Sequence, residues 1–299
     1  MGFKGRSLAS LLSWTTRREH VYEVPPLGKA ALRQFRNGCK PDPPPPILGK
    51  WTMGRDSDSL QRQIRNRRMN RILRCEMLNW AARYYPIVRI LKAHGLFHDA
   101  SLIEIGSGSV GIGRFRKVPF VGCDVAFATE PRWPMTAITA SAAQLPMNDK
   151  EFDVVLASDV LEHIPPDLRQ TVIGESLRVA RKLVIFGFPC GRLAWESDQA
   201  LFNVYRVAQH APPAWLAEHM DAPFPGTELF QQVDGWDVQQ IGNENLRFHA
   251  WLMRRERSYI FLRASQAAMR VAPLLVEFLL RRADRPPCYR QIFVLSKQN

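Results

Sequence analysis

Leu102-Ile-Glu-Ile-Gly-Ser-Gly-Ser-Val-Gly111 is the stretch of sequence that decides the fold. A short apolar run contains one acidic residue, Glu104, and gives way to closely spaced glycines. Gly106 and Gly108 have no Cβ, so the backbone there can turn tightly with positive φ and approach a bound molecule closely. The pattern predicts a β-strand that leads into a ligand-binding loop. Taken alone, it fits a dinucleotide-binding loop as well.

Two further apolar segments follow this loop. Residues 118–124 predict a short strand that ends in Asp124, and a carboxylate at that point can accept hydrogen bonds from both hydroxyls of a ribose. Residues 152–159 predict another apolar strand, which is followed at once by Val160-Leu-Glu-His-Ile-Pro-Pro166. The three segments together predict a nucleotide-binding α/β domain.

This series of motifs resembles the class I S-adenosylmethionine-dependent methyltransferases, and the match is closest to the methyltransferase type 11-like group. An acid two residues before the first glycine looks like the methyltransferase loop, and the Asp-Val-Leu-Glu-His segment has no counterpart in a dinucleotide domain. The resemblance covers about residues 96–299, and its specificity lies in the order of its motifs. Beyond the glycine loop, these motifs are residues 145–155, 159–163, 175–181 and 188–191.

Alternating strand and helix patterns predict an α/β fold with a parallel sheet and helices on both faces. We expect strands at residues 101–105, 118–123, 135–139, 153–158 and 182–188, and helices at about 58–94, 111–116 and 166–180. Two final strands are expected from Trp236 and from Tyr289 onward. The resemblance implies that the last strand inserts antiparallel between its two predecessors, which gives a seven-stranded Rossmann-like methyltransferase sheet.

The chain divides into three segments by composition. Residues 1–57 form a basic, Pro-rich extension that includes Pro41-Asp-Pro-Pro-Pro-Pro46, a tract that cannot be a helix or an inner strand. Residues 58–95 predict a basic helical segment that packs on the core. Residues 96–299 are long enough for one α/β domain and correspond to the methyltransferase domain, with an acceptor-side insertion at about 190–230.

The net charge of +13 is concentrated in two regions. In the first, Arg62, Arg65, Arg67, Arg68, Arg71 and Arg74 would form the basic face of a helix. Such a face can bind RNA, lipid or a phosphorylated carrier, but it is more often simply solvated. No recognised RNA module accompanies it, so nucleic acid is a less favoured partner than a small molecule or a glycan.

The second basic region runs from Arg254 to Arg282 and predicts helices with a broad apolar face and a cationic fringe. We expect this face to pack against the sheet, and peripheral contact with a membrane surface is the alternative. No apolar run approaches the length of a transmembrane segment.

The sequence favours a cytoplasmic location. Five cysteines without Cys-x-x-Cys or metal-finger spacing are typical of a reducing compartment. Residues 1–18 carry basic side chains and no acid, and their apolar residues would share one helical face, so a peripheral membrane or organellar location is the alternative.

The resemblance implies S-adenosylmethionine as the cofactor and assigns its contacts by position. The loop residues would surround the methionine moiety, with Glu104 helping to hold it, while Asp124 takes the ribose hydroxyls and Asp159 lies near the methionine amino group. The alternative for both aspartates is a helix cap. The full set of expected cofactor-binding residues is Glu104, Gly106, Ser107, Gly108, Asp124, Val125, Ser141, Ala142 and Asp159.

Val125 would touch the adenine face, and Ser141 and Ala142 would lie beside the adenine edge. Relatives often carry Asp before that alanine, so this sequence departs from the family pattern at Ser141. A serine hydroxyl can accept a hydrogen bond from the adenine amine, but it supplies no charge.

His163 is the candidate catalytic residue, because a hydroxyl acceptor needs a base and imidazole titrates near neutral pH. Asp159, Glu162 and His163 also have i, i+3, i+4 spacing. This spacing resembles the partial metal site of ubiquinone O-methyltransferases and small-RNA end methyltransferases. Many relatives with Leu-Glu-His show no need for a metal, and Pro165-Pro166 interrupts a helix. The predicted site residues therefore include no metal ligand. Whether Asp159, Glu162 and His163 use a metal stays open, as does a purely structural role of His163 as a cap or hydrogen-bond partner.

The predicted function is methyl transfer to a small-molecule or glycan-precursor acceptor, with oxygen as the favoured atom. Two alternatives stay open: an RNA or protein methyltransferase that uses the basic helix, and a catalytically silent cofactor-binding scaffold. Candidate acceptor-side residues in the insertion are Trp195, Glu196, Phe202, Tyr205, Arg206, His210, Trp215, Glu218, His219 and Phe224. Their aromatic content is equally consistent with a lid and with core packing.

Overall fold

A computed structural model describes residues 78–208, 211–231 and 233–298 of the chain. The predicted extension 1–57, the start of the predicted helix at 58–77 and the arginines between Arg62 and Arg74 lie outside the described residues.

Seven strands alternate with helices in the described part of the chain. The strands are β1 Leu102–Ile105, β2 Phe120–Asp124, β3 Met135–Thr139, β4 Phe152–Ser158, β5 Ala180–Pro189, β6 Trp236–Asn245 and β7 Cys288–Lys297. The α-helices are α1 Leu78–Ala93, α2 Arg169–Val179, α3 Gly191–Val207, α4 Ala214–Glu218, α5 Leu246–Arg255, α6 Tyr259–Val271 and α7 Pro273–Arg282. Short 3-10 turns are Gly111–Arg114, Leu161–His163, Pro166–Leu168 and Thr227–Phe230.

The strands form one sheet in the order β3-β2-β1-β4-β5-β7-β6. The strands β1 to β5 are mutually parallel, and β7 lies antiparallel between β5 and β6. The predicted fold class, a seven-stranded Rossmann-like methyltransferase sheet with the last strand inserted, is therefore confirmed. Since the five parallel strands end at one edge, the loops that follow β1, β2, β3, β4 and β5 meet there.

The centre of the sheet is the core. All residues of β1 are buried, and β4 and β5 are buried along most of their length, as expected for strands covered on both faces. Helix α1 covers one face through Tyr84, Ile87 and Leu91, which join the cluster formed by the sheet residues. Helix α2 packs on β4 and β5, and its buried residues include Val172 and Ile173.

Two expectations differ from the structure. The helix predicted at 111–116 is a four-residue 3-10 turn, Gly111–Arg114. Helix α7 packs on α1, where Val276 and Leu280 join Ala81 and Ala82, rather than on the sheet, because α1 already covers that face. The α6–α7 surface therefore leaves large apolar side chains in solvent: Ile260, Val271, Leu274, Leu275, Phe278 and Leu279.

No helix among residues 78–208, 211–231 and 233–298 combines the length and apolar character that a bilayer crossing requires.

Arg116 is fully buried between the start of β1 and the start of β2. Its guanidinium donates hydrogen bonds to four backbone carbonyls: Phe97 O at 2.6 Å, Ala100 O at 2.8 Å, Pro119 O at 3.2 Å and His98 O at 3.3 Å. Burial lowers its pKa to about 10. The planar guanidinium, with its five N–H donors, thus holds together the loops that lead into two neighbouring strands.

We expect Arg116→Lys to lower the free energy of unfolding by about 2–4 kcal/mol, because one ammonium cannot replace the fork and leaves buried carbonyls unpaired. Arg192→Lys is the matched control, since the Arg192 side chain is 83% exposed. Urea denaturation of both variants measures the difference. Equal stability of the two variants would contradict this role for Arg116.

Candidate active site at the carboxyl edge of the sheet

The glycine loop after β1 has the backbone conformation that its sequence predicts. Gly106, Gly108 and Gly111 have φ values of 66°, 53° and 49°. A Cβ added to Gly106 would collide with the Val160 side chain, whereas one added to Gly108 would meet nothing within 4 Å. Gly106 therefore packs against the segment that follows β4, while the loop at Gly108 faces open space.

The Glu104 side chain in β1 stabilises this loop through hydrogen bonds. The Tyr84 hydroxyl donates to Glu104 Oε1 at 2.6 Å, and the Ile112 amide donates to Oε2 at 2.6 Å. Burial raises the pKa of Glu104 to about 7, although both hydrogen bonds favour its charged form. Both oxygens are thus engaged in positioning the loop, and a direct contact between Glu104 and a ligand stays a prediction.

Asp124 ends β2 and meets the glycine loop at the sheet edge. The Gly108 amide donates to Asp124 Oδ2 at 2.9 Å, and the Ala126 amide reaches Oδ1 only at 3.5 Å. Val125, the next residue, is 71% exposed. The Ser107 side chain is buried and its hydroxyl donates to the Gly108 carbonyl at 2.9 Å. Four of the predicted cofactor-binding residues, Ser107, Gly108, Asp124 and Val125, are therefore adjacent in space.

Ser141 and Ala142 follow β3, so they lie at the same edge. The Ser141 hydroxyl accepts a hydrogen bond from the Ala143 amide at 3.2 Å and is exposed, while Ala142 is buried. The short turn that contains them is closed by a backbone bridge between Ser141 and Gln144.

Asp159, directly after β4, pairs with two arginines that the sequence analysis missed. Arg290 donates to its two oxygens at 2.7 and 2.9 Å, and Arg83 Nη2 lies 2.6 Å from Oδ2. Burial alone would raise the pKa of Asp159, but the two cations outweigh it and hold that pKa well below its usual range. The signal for Arg290 was a single charged residue in the mostly apolar strand segment Tyr289-Arg-Gln-Ile-Phe-Val.

Asp159, Glu162 and His163 do not share one helical face, despite their i, i+3, i+4 spacing. Asp159 has a positive φ of 52°, and the following residues form only a 3-10 turn before Pro165. Asp159 turns towards the arginines, while Glu162 is buried beside His163.

A chain of buried polar groups continues from Arg290 away from the loop. Arg290 Nη1 lies 3.0 Å from Glu244 Oε2, and Glu244 Oε1 lies 3.2 Å from His249 Nδ1. Asp198 in α3 accepts from the Tyr289 hydroxyl at 2.7 Å and lies 2.7 Å from His219 Nδ1. These groups connect β4 and β7 to the insertion after β5.

His163 and His219 lie next to each other at the end of this chain, with ring centroids 4.9 Å apart. His163 Nδ1 is 3.1 Å from Glu218 Oε2. Burial, followed by the charge of His219, lowers the pKa of His163, and Glu218 partly offsets both. Glu162 is 5% exposed, and burial together with the charge of Asp159 raises its pKa well above the usual value.

The aromatic residues of the insertion serve mainly in packing. Phe224 is buried with Ala194 and Tyr289, and Phe202 and Tyr205 pack around Leu201 and Leu216. The Trp195 indole donates to the His219 carbonyl at 3.0 Å. His210, also named among the acceptor-side residues, lies outside the described residues.

A cavity of about 760 Å³ lies at the same edge, towards β6 and β7. The insertion contributes to its wall from both ends, through Cys190, Gly191, Arg192, Leu193, Gly226, Thr227 and Glu228. None of the predicted aromatic residues lines it.

Part of the chain matches a known protein family. Residues 121–186 match the family model described as a methyltransferase domain. Similar solved structures include magnesium protoporphyrin IX methyltransferase from Synechocystis PCC 6803, at 14% identity over 83% of this chain and 90% of that chain, with a TM-score of 0.41. A S-adenosylmethionine-dependent methyltransferase from Archaeoglobus fulgidus is 15% identical over 72% of this chain and 94% of that chain, with a TM-score of 0.39. No curated protein matches the chain.

The match over residues 121–186 and the order of the strands agree with the predicted resemblance to the class I S-adenosylmethionine-dependent methyltransferases. The predicted cofactor, S-adenosylmethionine, is the one that this family uses.

His249 generates a pH dependence of stability. Burial disfavours its charge, but Glu244 and Asp198 outweigh burial and raise its pKa to about 9. Protonation of His249 stabilises the folded protein, because folding raises the pKa of this side chain. The stabilisation is complete below about pH 6.5, the pKa of histidine in the unfolded chain, and it is lost as the pH rises through about 9. We expect a loss on the order of 3 kcal/mol over this window, and a much flatter profile for His249→Gln.

Urea denaturation between pH 6 and 10 measures both profiles. His94→Gln is the control for the removal of a histidine as such, because His94 is an exposed histidine directly after α1. A profile of His249→Gln as steep as that of the unmodified protein would overturn the assignment.

Proposed function

We propose that this enzyme transfers the methyl group of S-adenosylmethionine to an oxygen atom of a small-molecule or glycan-precursor acceptor. The observation that carries the proposal is the convergence at one sheet edge of an open glycine loop, Asp124 and the His163 segment beneath the insertion. The proposal therefore puts the cofactor over β1 and β2 and the acceptor on the side of the insertion.

The chain's own residues fit such a cofactor. The open space at Gly108 leaves room for a close approach to the backbone, and Asp124 Oδ1 has only one long contact, so it can accept hydrogen bonds from ribose. We infer that Val125 contacts adenine from its exposed position, with Ser141 and Ala142 beside the adenine edge. Glu104 and Gly106 would act by holding the loop in place, and Ser107 and Asp159 would border the methionine moiety.

The protein contributes mainly placement, since the bound cofactor supplies a methyl group already activated by a sulfonium. Fixing both partners in line contributes about 7–11 kcal/mol. The acceptor oxygen forms a bond to the methyl carbon as the carbon–sulfur bond breaks, and the electron pair stays on sulfur. We infer that His163 takes the hydroxyl proton on Nε2, while Glu218 holds Nδ1 at 3.1 Å.

The alternatives make different predictions. An RNA or protein acceptor would give salt-sensitive polymer binding through the basic residues before α1. A silent scaffold would bind the cofactor tightly without turnover on diverse acceptor pools. Methyl transfer from labelled cofactor into a low-molecular-weight acceptor pool supports the proposed function over both.

We propose a cytoplasmic location for this reaction. The exposed apolar residues of the α6–α7 surface, which are flanked by Arg270 and Arg281, favour peripheral membrane contact as the alternative. Co-sedimentation with anionic vesicles distinguishes the two locations.

Calorimetric titration with S-adenosylhomocysteine tests the cofactor site. We expect Asp124→Ala to weaken binding at least about tenfold, because hydrogen bonds to a charged group contribute about 1.5–3 kcal/mol. Asp234→Ala is the control, since Asp234 lies in the turn before β6, at the opposite edge of the sheet. Nicotinamide dinucleotide should not bind. Unweakened binding by Asp124→Ala would contradict the assignment.

A second test uses glycines with matched backbones. Gly108 and Gly95 have φ values of 53° and 68°, and an added Cβ meets nothing within 4 Å at either position. Both alanine variants should lose about 1 kcal/mol of stability from the strained backbone. Only Gly108→Ala should also abolish S-adenosylhomocysteine binding, because its Cβ would occupy the space of the cofactor. Equal affinities of the two variants would exclude close approach at Gly108.

A further inference from the structure

Three potential metal ligands from separate parts of the chain meet beside the proposed acceptor site. Glu162 and His163 follow β4, and His219 follows α4 in the insertion. One ligand atom from each residue lies within 4.8 Å of the others. Glu162 and His219 are buried and His163 lies at the surface, so the cluster opens towards solvent on one side.

Glu162 lacks partners within the described part of the chain. Its side chain is buried, and neither carboxylate oxygen has a hydrogen-bond partner there. An unpaired buried carboxylate is costly unless a cation or a hydrogen-bond donor compensates it. Three arginines interact electrostatically with Glu162, but the hydrogen bonds of each go elsewhere. Arg83 and Arg290 pair with Asp159, and Arg169 donates to the carbonyls of residues 161, 164 and 223.

Both histidines are oriented as metal ligands usually are. A metal-bound imidazole normally donates its other ring N–H to a carboxylate, which fixes the ring and its tautomer. His219 Nδ1 lies 2.7 Å from Asp198 Oδ2, and His163 Nδ1 lies 3.1 Å from Glu218 Oε2. Asp198 is itself held by the Tyr289 hydroxyl at 2.7 Å. Each ring is therefore left with Nε2 to coordinate an ion.

We propose that Glu162, His163 and His219 bind one divalent transition-metal ion. Two imidazoles and one carboxylate suit Zn²⁺, Co²⁺ or Mn²⁺, and three protein ligands leave a coordination position open. This set differs from the Asp159–Glu162–His163 spacing in the sequence and departs from the predicted site residues, which include no metal ligand. Asp159 is excluded because two arginines occupy it, and His219 takes its place through the folding of the insertion.

The open position gives the ion a role that rests on the proposed function. A hydroxyl or vicinal diol of the acceptor can occupy it, and a divalent ion lowers the pKa of a bound hydroxyl so that its proton passes to water. His163 then acts as a ligand, and the ion replaces it in activating the hydroxyl. We therefore expect the acceptor to present an oxygen nucleophile, rather than an amine, to the ion beside Glu162.

Co²⁺ binding to the full-length, untagged, chelator-treated protein tests the site without cofactor or acceptor. We expect one equivalent to bind, with visible bands more intense than those of the aqueous ion. His219→Gln and Glu162→Gln should each weaken binding at least about tenfold, and Asp198→Asn about ten- to a hundredfold through loss of ring orientation. His94→Gln, a surface histidine away from the cluster, should bind as the unmodified protein does.

His163→Ala distinguishes loss of the metal site from loss of the fold. Because His163 lies at the surface, this variant should lose Co²⁺ affinity and keep the melting profile of the unmodified protein. Absence of stoichiometric binding would overturn the proposal, as would unchanged affinity in Glu162→Gln and His219→Gln. S-adenosylhomocysteine binding by the same chelator-treated protein is measured separately. Retained cofactor binding without Co²⁺ binding refutes the metal site alone, and loss of cofactor binding refutes the proposed function.

Discussion

The ion pair between Asp159 and Arg290 is the constraint on which the rest of the site depends. Arg290 lies in the last strand, Asp159 ends β4, and both guanidinium bonds are shorter than 3 Å. Breaking a buried pair of this kind costs about 3–5 kcal/mol, because the remaining charge is left uncompensated. The pair therefore ties the inserted strand β7 to the carboxyl edge and, through Arg83, also secures the end of β4 to α1.

Two polar side chains, from half-buried Arg83 and buried Tyr84, attach α1 to the ligand edge. Tyr84 holds Glu104 under the glycine loop, and Arg83 holds Asp159 after β4. Because these side chains are consecutive on one helix, movement of α1 would disturb both loops together. Helix α1 thus supports the site, although it precedes the first strand and contains none of the predicted cofactor-binding residues.

The insertion after β5 is coupled to the same edge by a buried polar chain. Arg290, Glu244 and His249 lead towards Asp198, which orients His219. Partly satisfied polar networks are costly in a core, so retention of several charged groups here favours a functional arrangement over simple packing. The aromatic side chains of the insertion, by contrast, largely stabilise its own small core.

The sequence by itself determined the sheet, the glycine loop and the placement of Asp124, because apolar periodicity, glycine conformation and strand ends are local properties that survive into the fold. Only the tertiary structure decided the partners of Asp159, the exposure of the α7 apolar face and the meeting of His219 with Glu162 and His163. The contacts of Asp159 and His219 join residues 56 to 131 positions apart. A local motif cannot specify them, since they depend on how α1, the insertion and β7 pack around the sheet.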